Sequence, residues 1–206
     1  MPWIDVPQNE DQWFDLRLGK VTGSTIGKVM ANFGKAFGQP AKDLAVNLAI
    51  EQLTGVRQGG DYSNAHMERG HLEEPICRRL YEELYFVDVL NGGFYDNILT
   101  GSSPDGRVAK DGLIEIKSAI ATVHYERIRK DTFDSQYKWQ LIFNMKESGR
   151  DWIDFVSFSS SYPVETRLFV KRLERDDYKK EYQMIDERLA EFFEMLETVK
   201  KKVKGN

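Results

Sequence analysis

The segment from residue 101 to residue 117 restricts the fold of this chain more than any other. It contains two short runs with the alternation of a β-strand, separated by a Lys-Asp-Gly turn, and it therefore predicts a β-hairpin. Side chains alternate between the two faces of a strand, so Glu115 and Lys117 share one face. Ile114 and Ile116 occupy the other face and are expected to point into the core. The charged pair is then expected to lie beside a cleft.

The register of this hairpin decides which polar residues meet. A two-residue turn at Asp111-Gly112 would put Asp105 on the wrong face, whereas a three-residue Lys110-Asp111-Gly112 loop keeps the apolar residues together. The three-residue loop pairs Arg107 with Glu115 and Asp105 with Lys117. It predicts a left-handed Gly112 that closes a bulged turn, and it predicts that the two carboxylates and the lysine converge.

The chemistry of this group points to a metal. Two strand carboxylates with a nearby backbone carbonyl are hard oxygen ligands suited to Mg²⁺ or Mn²⁺. A neighbouring ammonium can stabilise a hydroxide formed at such a site. A surface hairpin with Asp105, Glu115 and Lys117 on its solvated face is the alternative explanation, and the hairpin alone leaves both readings open.

A second candidate site lies near the start of the chain. Ser24 is the expected N-cap of a helix through Met30, and the N–H groups at a helix N-terminus attract phosphate. Gly23 would let a phosphate approach the backbone closely. Arg17, near the end of a predicted helix from Asp11 to Leu18, can add a planar bidentate donor. An ordinary helix cap and a surface arginine explain these residues equally well.

Five short motifs occur in a fixed order between about residues 10 and 160. They are Trp13…Arg17…Thr22-Gly23-Ser24, Arg69-Gly70-x3-Glu74-Pro75, Gly101-Ser102-Ser103-Pro104-Asp105-Gly106, Glu115-Ile116-Lys117 and Tyr137-x2-Gln140. In these motifs the chain resembles the phage lambda exonuclease family, also called the YqaJ-like viral recombinases. The hairpin itself resembles the Pro-Asp…(Asp/Glu)-x-Lys core of the PD-(D/E)XK superfamily. The resemblance implies an α/β fold with a restriction-endonuclease-like core, in which helices flank a central mixed β-sheet.

The same resemblance implies a function. It is that of a Mg²⁺-dependent 5′→3′ exonuclease, with Mn²⁺ as an alternative ion and two metal ions in each active site. Such an enzyme acts on double-stranded DNA with a 5′-phosphate end, releases mononucleotides and leaves a 3′ single strand for recombination by strand annealing. A homotrimeric ring around DNA and a single-strand annealing protein as partner are further implications of the family.

The resemblance also implies a role for each matched residue. The metal ligands are Asp105, Glu115, the carbonyl of Ile116, and Glu74. The other catalytic residues are Lys117, which stabilises the hydroxide, and Gln140, which positions water or substrate. Arg17 and Ser24 are implied ligands of the 5′-phosphate, and Thr22 and Tyr137 are candidate DNA contacts. One departure is that Ser118-Ala119 stand where the family often has Cys-Pro.

Two other functions remain as alternatives. An endonuclease of the same superfamily would share the hairpin, but the chain has no obvious sequence-reading domain and carries the Arg17 and Ser24 pair. A catalytically silent DNA-binding module would keep the fold. It would have no use for the clustered like charges of Asp105 and Glu115, which are costly to hold together.

Composition is compatible with these expectations. At 206 residues with 41% hydrophobic content, the chain suits one exonuclease domain over residues 1–206, with an extended lead-in at 1–10 and a disordered tail at 200–206. The net charge of −4 argues against non-specific coating of nucleic acid. Cys77 is the single cysteine, and the sequence shows no signal peptide or bilayer-length apolar run, which makes the cytoplasm of a phage-infected, prophage-carrying or other bacterial cell the default location.

Hydrophobic periodicity predicts the remaining elements. Helices are expected at 41–54, at 62–84 with an apolar stripe of Leu72, Ile76, Leu80 and Leu84, at 123–130, at 136–148 and at 177–201. Strands are expected within 85–100, at 152–158 and at 167–171. The cations of the 123–130 helix line a phosphate path or form a solvated face.

Overall fold

The structure is a computed structural model that describes residues 3–58 and 65–205. Its helices are α1 (Asp11–Arg17), α2 (Ile26–Met30), α3 (Gln39–Thr54), α4 (Ala65–Tyr85), α5 (Ala121–Lys130), α6 (Lys138–Ser148) and α7 (Lys179–Val203). Its strands are β1 (Trp3–Ile4), β2 (Val21–Thr22), β3 (Val89–Asn91), β4 (Phe94–Asn97), β5 (Thr100–Ser102), β6 (Gly106–Val108), β7 (Gly112–Ser118), β8 (Trp152–Phe158) and β9 (Leu168–Glu174). The predicted start of α4 at residue 62 lies outside the described residues.

The strands form two mixed sheets. The larger has the order β3-β6-β7-β8-β9, with β7 and β8 parallel and the other neighbours antiparallel. The smaller has the order β1-β4-β5-β2, with β2 and β5 parallel. The crossover from β7 to β8 contains α5 and α6, because parallel neighbours need a long connection. This arrangement confirms the predicted mixed α/β fold with helices around a sheet.

Strand β7 is covered on both faces. Ile114 and Ile116 pack with Cys77 and Tyr81 of α4, as the alternation of the sequence predicted. The opposite face, which carries Leu113, packs against Leu141 and Met145 of α6. Glu115 lies on that second face and is therefore buried beneath a helix.

The β6–β7 hairpin has a register two residues away from the predicted one. Arg107 faces Leu113 instead of Glu115, and the loop is Ala109-Lys110-Asp111. The predicted left-handed Gly112 is also wrong, because Ala109 takes that conformation with φ of +46°. A shift of two residues preserves which face each side chain occupies.

Two long-range contacts account for this register. The guanidinium Nη1 of Arg150 donates to the carbonyl oxygens of Ala109 and Gly112, each at 3.0 Å, and so holds the loop from outside the hairpin. Gly112 lies against the ring of Trp152 in β8, where a Cβ atom would be 2.0 Å from a ring carbon. The glycine is thus required by close packing and not by its backbone angle.

Of the apolar stripe predicted for α4, only Leu80 packs against the core. Leu72, Ile76 and Leu84 are 75%, 51% and 57% exposed, whereas Cys77 and Tyr81 are buried. Pro75 lies inside one continuous helix. The strands predicted within 85–100 begin later than expected, since Tyr85 ends α4 and β3 begins only at Val89.

Helix α7 packs against α3. Its buried residues Ile185, Leu189, Phe192 and Leu196 pack against α3, as their spacing predicted. The helix continues to Val203 and so includes Lys200–Lys202, for which the sequence predicted disorder. Within the described ranges, no helix is both long and apolar enough to cross a membrane.

Candidate active site

Glu115 is the centre of the site. Its side chain is buried, with the whole residue 1% exposed, and three side chains donate hydrogen bonds to it. The Lys117 ammonium and the Gln140 amide donate to Oε1 at 2.6 and 2.5 Å, and the Asn144 amide donates to Oε2 at 3.0 Å. Strand β7 supplies the carboxylate and the lysine, and α6 supplies the two amides.

Asp105 lies immediately before β6 and reaches across to β7. Its Oδ2 atom accepts the backbone N–H of Ile116 at 2.6 Å, which places this carboxylate beside the strand that carries Glu115. Arg78 of α4 donates to the Asp105 carbonyl at 2.5 Å and to Glu74 Oε1 at 3.2 Å. Arg78 therefore connects the helix carboxylate to the Asp105 segment.

The carboxylates of the site repel one another. Burial raises the pKa of Glu115 to about 7, the charge of Asp105 raises it as well, and Lys117 acts in the opposite direction. Burial also raises the pKa of Glu74, with a further contribution from Asp105 and opposition from Arg78. The cluster thus holds excess negative charge at a cost that a bound cation would offset.

Lys117 stays protonated in this environment. Burial acts to lower the pKa of its ammonium, but Glu115 and Asp105 together raise that pKa above its ordinary value. Its Nζ atom also lies 5.3 Å from the ring centroid of Tyr137. The group is a fixed positive charge at the edge of the carboxylate cluster.

The donor set fits a hard divalent cation by its chemistry. Asp105, Glu115 and Glu74 supply carboxylate oxygens, which Mg²⁺ prefers, and their mutual repulsion favours a positive ion among them. In residues 3–58 and 65–205, no three acidic, histidine or cysteine side chains are already gathered as a metal site. Lys117 and Gln140 both donate hydrogen bonds to Oε1 of Glu115. An ion that binds this oxygen would therefore replace at least one of these hydrogen bonds.

Asn144 is a site residue that the sequence analysis missed. Its Nδ2 donates to Glu115, and its Oδ1 accepts a hydrogen bond of 2.9 Å from Ser102. It follows Gln140 by four residues and so lies on the same face of α6, which is the signal that could have identified it. Gly23 packs against this amide, since a Cβ atom there would be 2.5 Å from Asn144 Oδ1.

The structure also contains a pocket of about 480 Å³, lined mainly by residues of the first 58 positions. It is lined by Asn9, Trp13, Phe14, Arg17, Leu18, Lys20, Thr22, Thr25, Lys28, Leu44, Asn47, Leu48, Glu51, Arg57, Gln58 and His71. Arg17 lies 4.1 Å from the ring centroid of Trp13 and donates to Ser24 at 2.9 Å and to Thr22 at 3.3 Å. Burial, with the charge of Arg57, lowers the pKa of Arg17 to about 10, which leaves the guanidinium charged at neutral pH.

The predicted helix cap at Ser24 is wrong. Helix α2 begins at Ile26 with Thr25 as its N-cap, and Ser24 instead contacts the Arg17 side chain. The hydroxyl of Thr22 is within 3.2 Å of that of Ser24. The loop therefore gathers hydroxyl groups around a guanidinium, which is still a suitable arrangement for an anion.

Two contacts link the segment around Arg17 to the carboxylate cluster. The Trp13 indole N–H donates to Ser103 Oγ at 2.7 Å, and Ser103 lies two residues before Asp105. On the other side, Gly23 contacts Asn144, which holds Glu115. Arg17 and the carboxylates are thereby fixed relative to one another through two separate contacts.

Tyr137 packs against another aromatic ring, and the arginines of α5 form ion pairs within the protein. Tyr137 ends a short 3-10 turn just before α6, and its ring lies 5.7 Å from that of Phe155. Arg127 is buried and donates to Asp134 at 2.6 Å, whereas Arg129 is exposed and pairs with Glu126 at 2.7 Å. The buried Arg127 is therefore not part of a solvated face.

Ser118 has a defined partner in this chain. Its hydroxyl donates to the buried carboxylate of Glu73 on α4, and Arg69 donates to the Ser118 hydroxyl at 2.9 Å. The Ser160 hydroxyl donates to the second oxygen of Glu73. This network fixes the end of β7 directly after Lys117.

The sequence profile of the YqaJ-like viral recombinase domain matches residues 12–151, which is more than half of the chain. The chain belongs to the YqaJ-like viral recombinase family. This result confirms the resemblance seen in the short motifs, and the matched range contains every candidate site residue.

Solved structures agree with membership in the YqaJ-like family. LHK-Exo, an alkaline exonuclease from Laribacter hongkongensis, is similar in its own crystal structure (32% identity, TM-score 0.79) and in its complex with dAMP (33% identity, TM-score 0.80). Each match covers 95% of this chain and 99% of the other. A phage-related exonuclease from Haemophilus somnus 129PT has a TM-score of 0.71 at 16% identity, covers 89% of this chain and 96% of its own, and shows the shared fold. A comparison with curated protein sequences gave no significant match.

Proposed function

We propose that this protein is a Mg²⁺-dependent 5′→3′ exonuclease on double-stranded DNA, with one exonuclease domain over residues 1–206. It would hydrolyse phosphodiesters with two metal ions, release mononucleotides and leave a 3′ single strand for strand annealing. Membership in the YqaJ-like family and the similarity to alkaline exonucleases support a DNA exonuclease. The observation that carries the finer proposal is the pair of contacts, Trp13 with Ser103 and Gly23 with Asn144, that links the Arg17 segment to the Glu115 cluster.

The proposed metal ligands are Asp105, Glu115, the Ile116 carbonyl and Glu74. Their support is that burial, and after it the charge of Asp105, raises the pKa of both Glu115 and Glu74, so that a bound cation would stabilise their ionised forms. When bound, a pair of Mg²⁺ or Mn²⁺ ions lowers the pKa of water and neutralises charge on the attacking and leaving oxygens. Both ions accept oxygen ligands of this kind.

Lys117 and Gln140 are the proposed catalytic side chains. The Lys117 ammonium keeps its charge because two carboxylates surround it, so it can stabilise the negative charge that develops on the attacking oxygen. Gln140 is neutral at every pH of interest and can donate one amide hydrogen to Glu115 and orient water or substrate with the rest of its amide. Neither role requires a proton to leave the side chain.

Arg17 and Ser24 are the proposed ligands of the 5′-phosphate, with Thr22 and Tyr137 as DNA contacts. The guanidinium and the hydroxyls of Ser24 and Thr22 already form one polar group, which supports this assignment. A terminal phosphate held there would bring the next phosphodiester toward the adjoining carboxylate cluster. Binding of the end group would then determine the 5′→3′ polarity.

The family also supports a proposed assembly and location. We expect a homotrimeric ring that encloses DNA, a single-strand annealing protein as partner, and action in the cytoplasm of the bacterial host or phage-infected cell. Light scattering on the purified protein tests the ring, and a monomeric mass at every concentration would contradict it.

The decisive experiment uses two DNA substrates of the same sequence. One is a linear duplex labelled at a single 5′-phosphate, and the other is a covalently closed circle. Release of labelled mononucleotide from the linear duplex, with Mg²⁺ and not with EDTA, is the expected result. Cleavage of the circle would indicate an endonuclease, and absence of cleavage with any metal would indicate a silent DNA-binding module.

A further inference from the structure

Asp105 lies on a short link between the two sheets. The last paired residue of β5 in the smaller sheet is Ser102, and the first paired residue of β6 in the larger sheet is Gly106. Among the strands that the structure describes, no pairing includes the link itself, residues 103–105. Glu115 lies on β7 of the larger sheet, so strand pairing alone does not fix Asp105 relative to it.

Side chains from distant parts of the chain hold the main chain of this link. The Gln8 amide donates to the carbonyl oxygen of Pro104 at 3.0 Å and to that of Ser103 at 3.4 Å. Arg78 of α4 donates to the next carbonyl oxygen, that of Asp105, at 2.5 Å. Main-chain carbonyl groups outside a strand ladder need such donors. Gln8 supplies the donor for two of these three carbonyl groups.

Gln8 belongs to a segment that is well attached to the smaller sheet. Its strand β1 pairs with β4, and Val6 is buried in a cluster with Trp13 and Phe94. The Asn91 amide donates to the Val6 carbonyl at 3.2 Å. Gln8, two residues further along, is half-buried. The segment therefore gives the Gln8 amide a defined position from which to hold the link.

The Asp105 carboxylate reaches the larger sheet where the pairing of β6 ends. Strand β6 pairs with β7 as far as Ile114. Two residues further along β7, the N–H of Ile116 donates to Asp105 Oδ2 at 2.6 Å. A side chain thus bonds to the strand beyond the last pair of the ladder. The position of this carboxylate depends on where the main chain of the link is held.

Repulsion within the carboxylate cluster acts against this position. Asp105 lies close enough to Glu115 and Glu74 for its charge to act on both carboxylates. Because like charges repel, the cluster favours an outward shift of Asp105 when no cation is bound. The Gln8 amide opposes such a shift through the main chain. It therefore does not compete for the carboxylate oxygens that a metal ion would bind.

We propose that Gln8 is a positioning residue that holds Asp105, through the main chain of the link, where it can bind a divalent cation. The inference rests on the proposed function, in which Asp105 is a metal ligand. When only a fraction of the molecules has the competent geometry, the apparent dissociation constant rises by the inverse of that fraction. Loss of the Gln8 amide thus weakens metal binding, and a high metal concentration restores the same occupied site.

Gln8→Ala tests this role by the affinity for metal. Calorimetric titration with Mg²⁺ in the absence of DNA should give a dissociation constant about fivefold higher than that of the unchanged protein, because the link loses one donor. In cleavage assays the Mg²⁺ concentration for half-maximal rate should rise by a similar factor. The rate at saturating Mg²⁺ should stay within about twofold, since metal restores the competent geometry.

Hydrogen exchange in EDTA gives a readout that requires no metal. The Ile116 amide is bonded to Asp105, so it should exchange about fivefold faster in Gln8→Ala, whereas amides in the centre of β8 should keep their protection. Gln39→Ala is the matched control. It removes an exposed glutamine at the start of α3, where the amide donates to Asp43, and should change neither the affinity for Mg²⁺ nor the exchange at Ile116.

Three results would overturn the role of Gln8. They are an unchanged dissociation constant for Mg²⁺ in Gln8→Ala, unchanged exchange at Ile116, and a maximal cleavage rate that falls together with the melting temperature in EDTA, which would show a general structural role. Failure of the proposed function is distinguishable from these results. It would appear as an unchanged protein that neither binds Mg²⁺ nor cleaves DNA, whereas metal binding and cleavage that ignore Gln8→Ala would remove only the positioning role.

Discussion

The Lys117 ammonium lies 2.6 Å from Oε1 of Glu115, and both side chains project from the same face of β7. This face is covered by α6, so neither charge is fully hydrated. The ion pair lowers the pKa of Glu115, while burial and Asp105 raise it. Removal of either partner would therefore leave an uncompensated charge at the centre of the site.

Lys117→Ala should abolish most of the turnover while DNA binding stays nearly unchanged. We expect single-turnover cleavage with Mg²⁺ to fall by at least about 100-fold, or about 3 kcal/mol of lost electrostatic stabilisation. Anisotropy in EDTA should give a similar affinity for the duplex. Lys110→Ala, at the exposed tip of the same hairpin, is the control, and cleavage by Lys117→Ala at the rate of this control would remove the proposed role.

Arg17→Ala should lower the preference for 5′-phosphorylated over 5′-hydroxyl ends. The guanidinium contacts Ser24 and Thr22 and lines the pocket, so its loss should reduce the ratio of cleavage rates by about tenfold. Competition between the two duplexes in one reaction measures the ratio directly. An unchanged ratio would exclude Arg17 from the phosphate site.

Mg²⁺ should stabilise the folded protein through the carboxylate cluster. An ion at about 100 times its dissociation constant adds about 2.7 kcal/mol to the free energy of unfolding. Thermal unfolding should therefore shift upward between EDTA and Mg²⁺, and Asp105→Asn should remove most of this shift. Asp111→Asn, on the exposed loop of the same hairpin, should keep it. Equal melting temperatures of the unchanged protein in both buffers would contradict the metal assignment.

Strand alternation was sufficient to predict the faces of β7 but not its register. The grouping of Glu115 with Lys117 depends only on a spacing of two residues. The register depends on Arg150, which holds the hairpin loop from a position about 40 residues away. No local pattern contains that contact, and the prediction that Gly112 is left-handed failed for this reason.

The exposed face of α4 has a similar explanation. Its leucine and isoleucine spacing is that of an amphipathic helix, yet the face that packs against the sheet is the one with Cys77 and Tyr81. The Tyr81 hydroxyl donates to the buried Asp154 at 2.7 Å, and Arg172 donates to the same carboxylate at 2.8 Å. These contacts join residues of α4, β8 and β9, which are far apart in the sequence. The periodicity of the helix alone therefore could not predict which of its faces is buried.

Gly23→Ala should reduce the cleavage rate, although Gly23 does not itself contact Glu115. A Cβ atom at this position would lie 2.5 Å from Asn144 Oδ1, and Asn144 is buried with both of its amide atoms engaged. The amide must shift and weaken its hydrogen bond to Glu115. We expect a destabilisation of about 1–3 kcal/mol and a loss of cleavage rate that remains when the assay is cooled well below the melting temperature.

Gly27→Ala is the matched control for this substitution. A Cβ atom at Gly27 would meet nothing within 4 Å, and the residue lies within α2. Alanine should stabilise that helix by up to about 1 kcal/mol. If both variants cleave DNA at the rate of the unchanged protein, the Gly23 contact has no influence on catalysis.

His124 should make the stability of the protein depend on pH. Arg127 donates to the Ser157 hydroxyl at 2.9 Å, so Ser157 donates its own hydrogen to Nδ1 of His124 at 2.8 Å, and Nε2–H donates to the Thr166 carbonyl at 3.0 Å. Burial lowers the pKa of this ring, the hydrogen bond to Thr166 opposes that shift, and Arg127 adds to it, so the pKa lies below its ordinary value. The unfolded state then binds a proton first as the pH falls below about 6.5, so folding loses up to about 1.4 kcal/mol per pH unit. Thermal unfolding in EDTA from pH 7.5 to 5 should show a smaller loss for His124→Gln than for the unchanged protein, and parallel curves would contradict the buried neutral histidine.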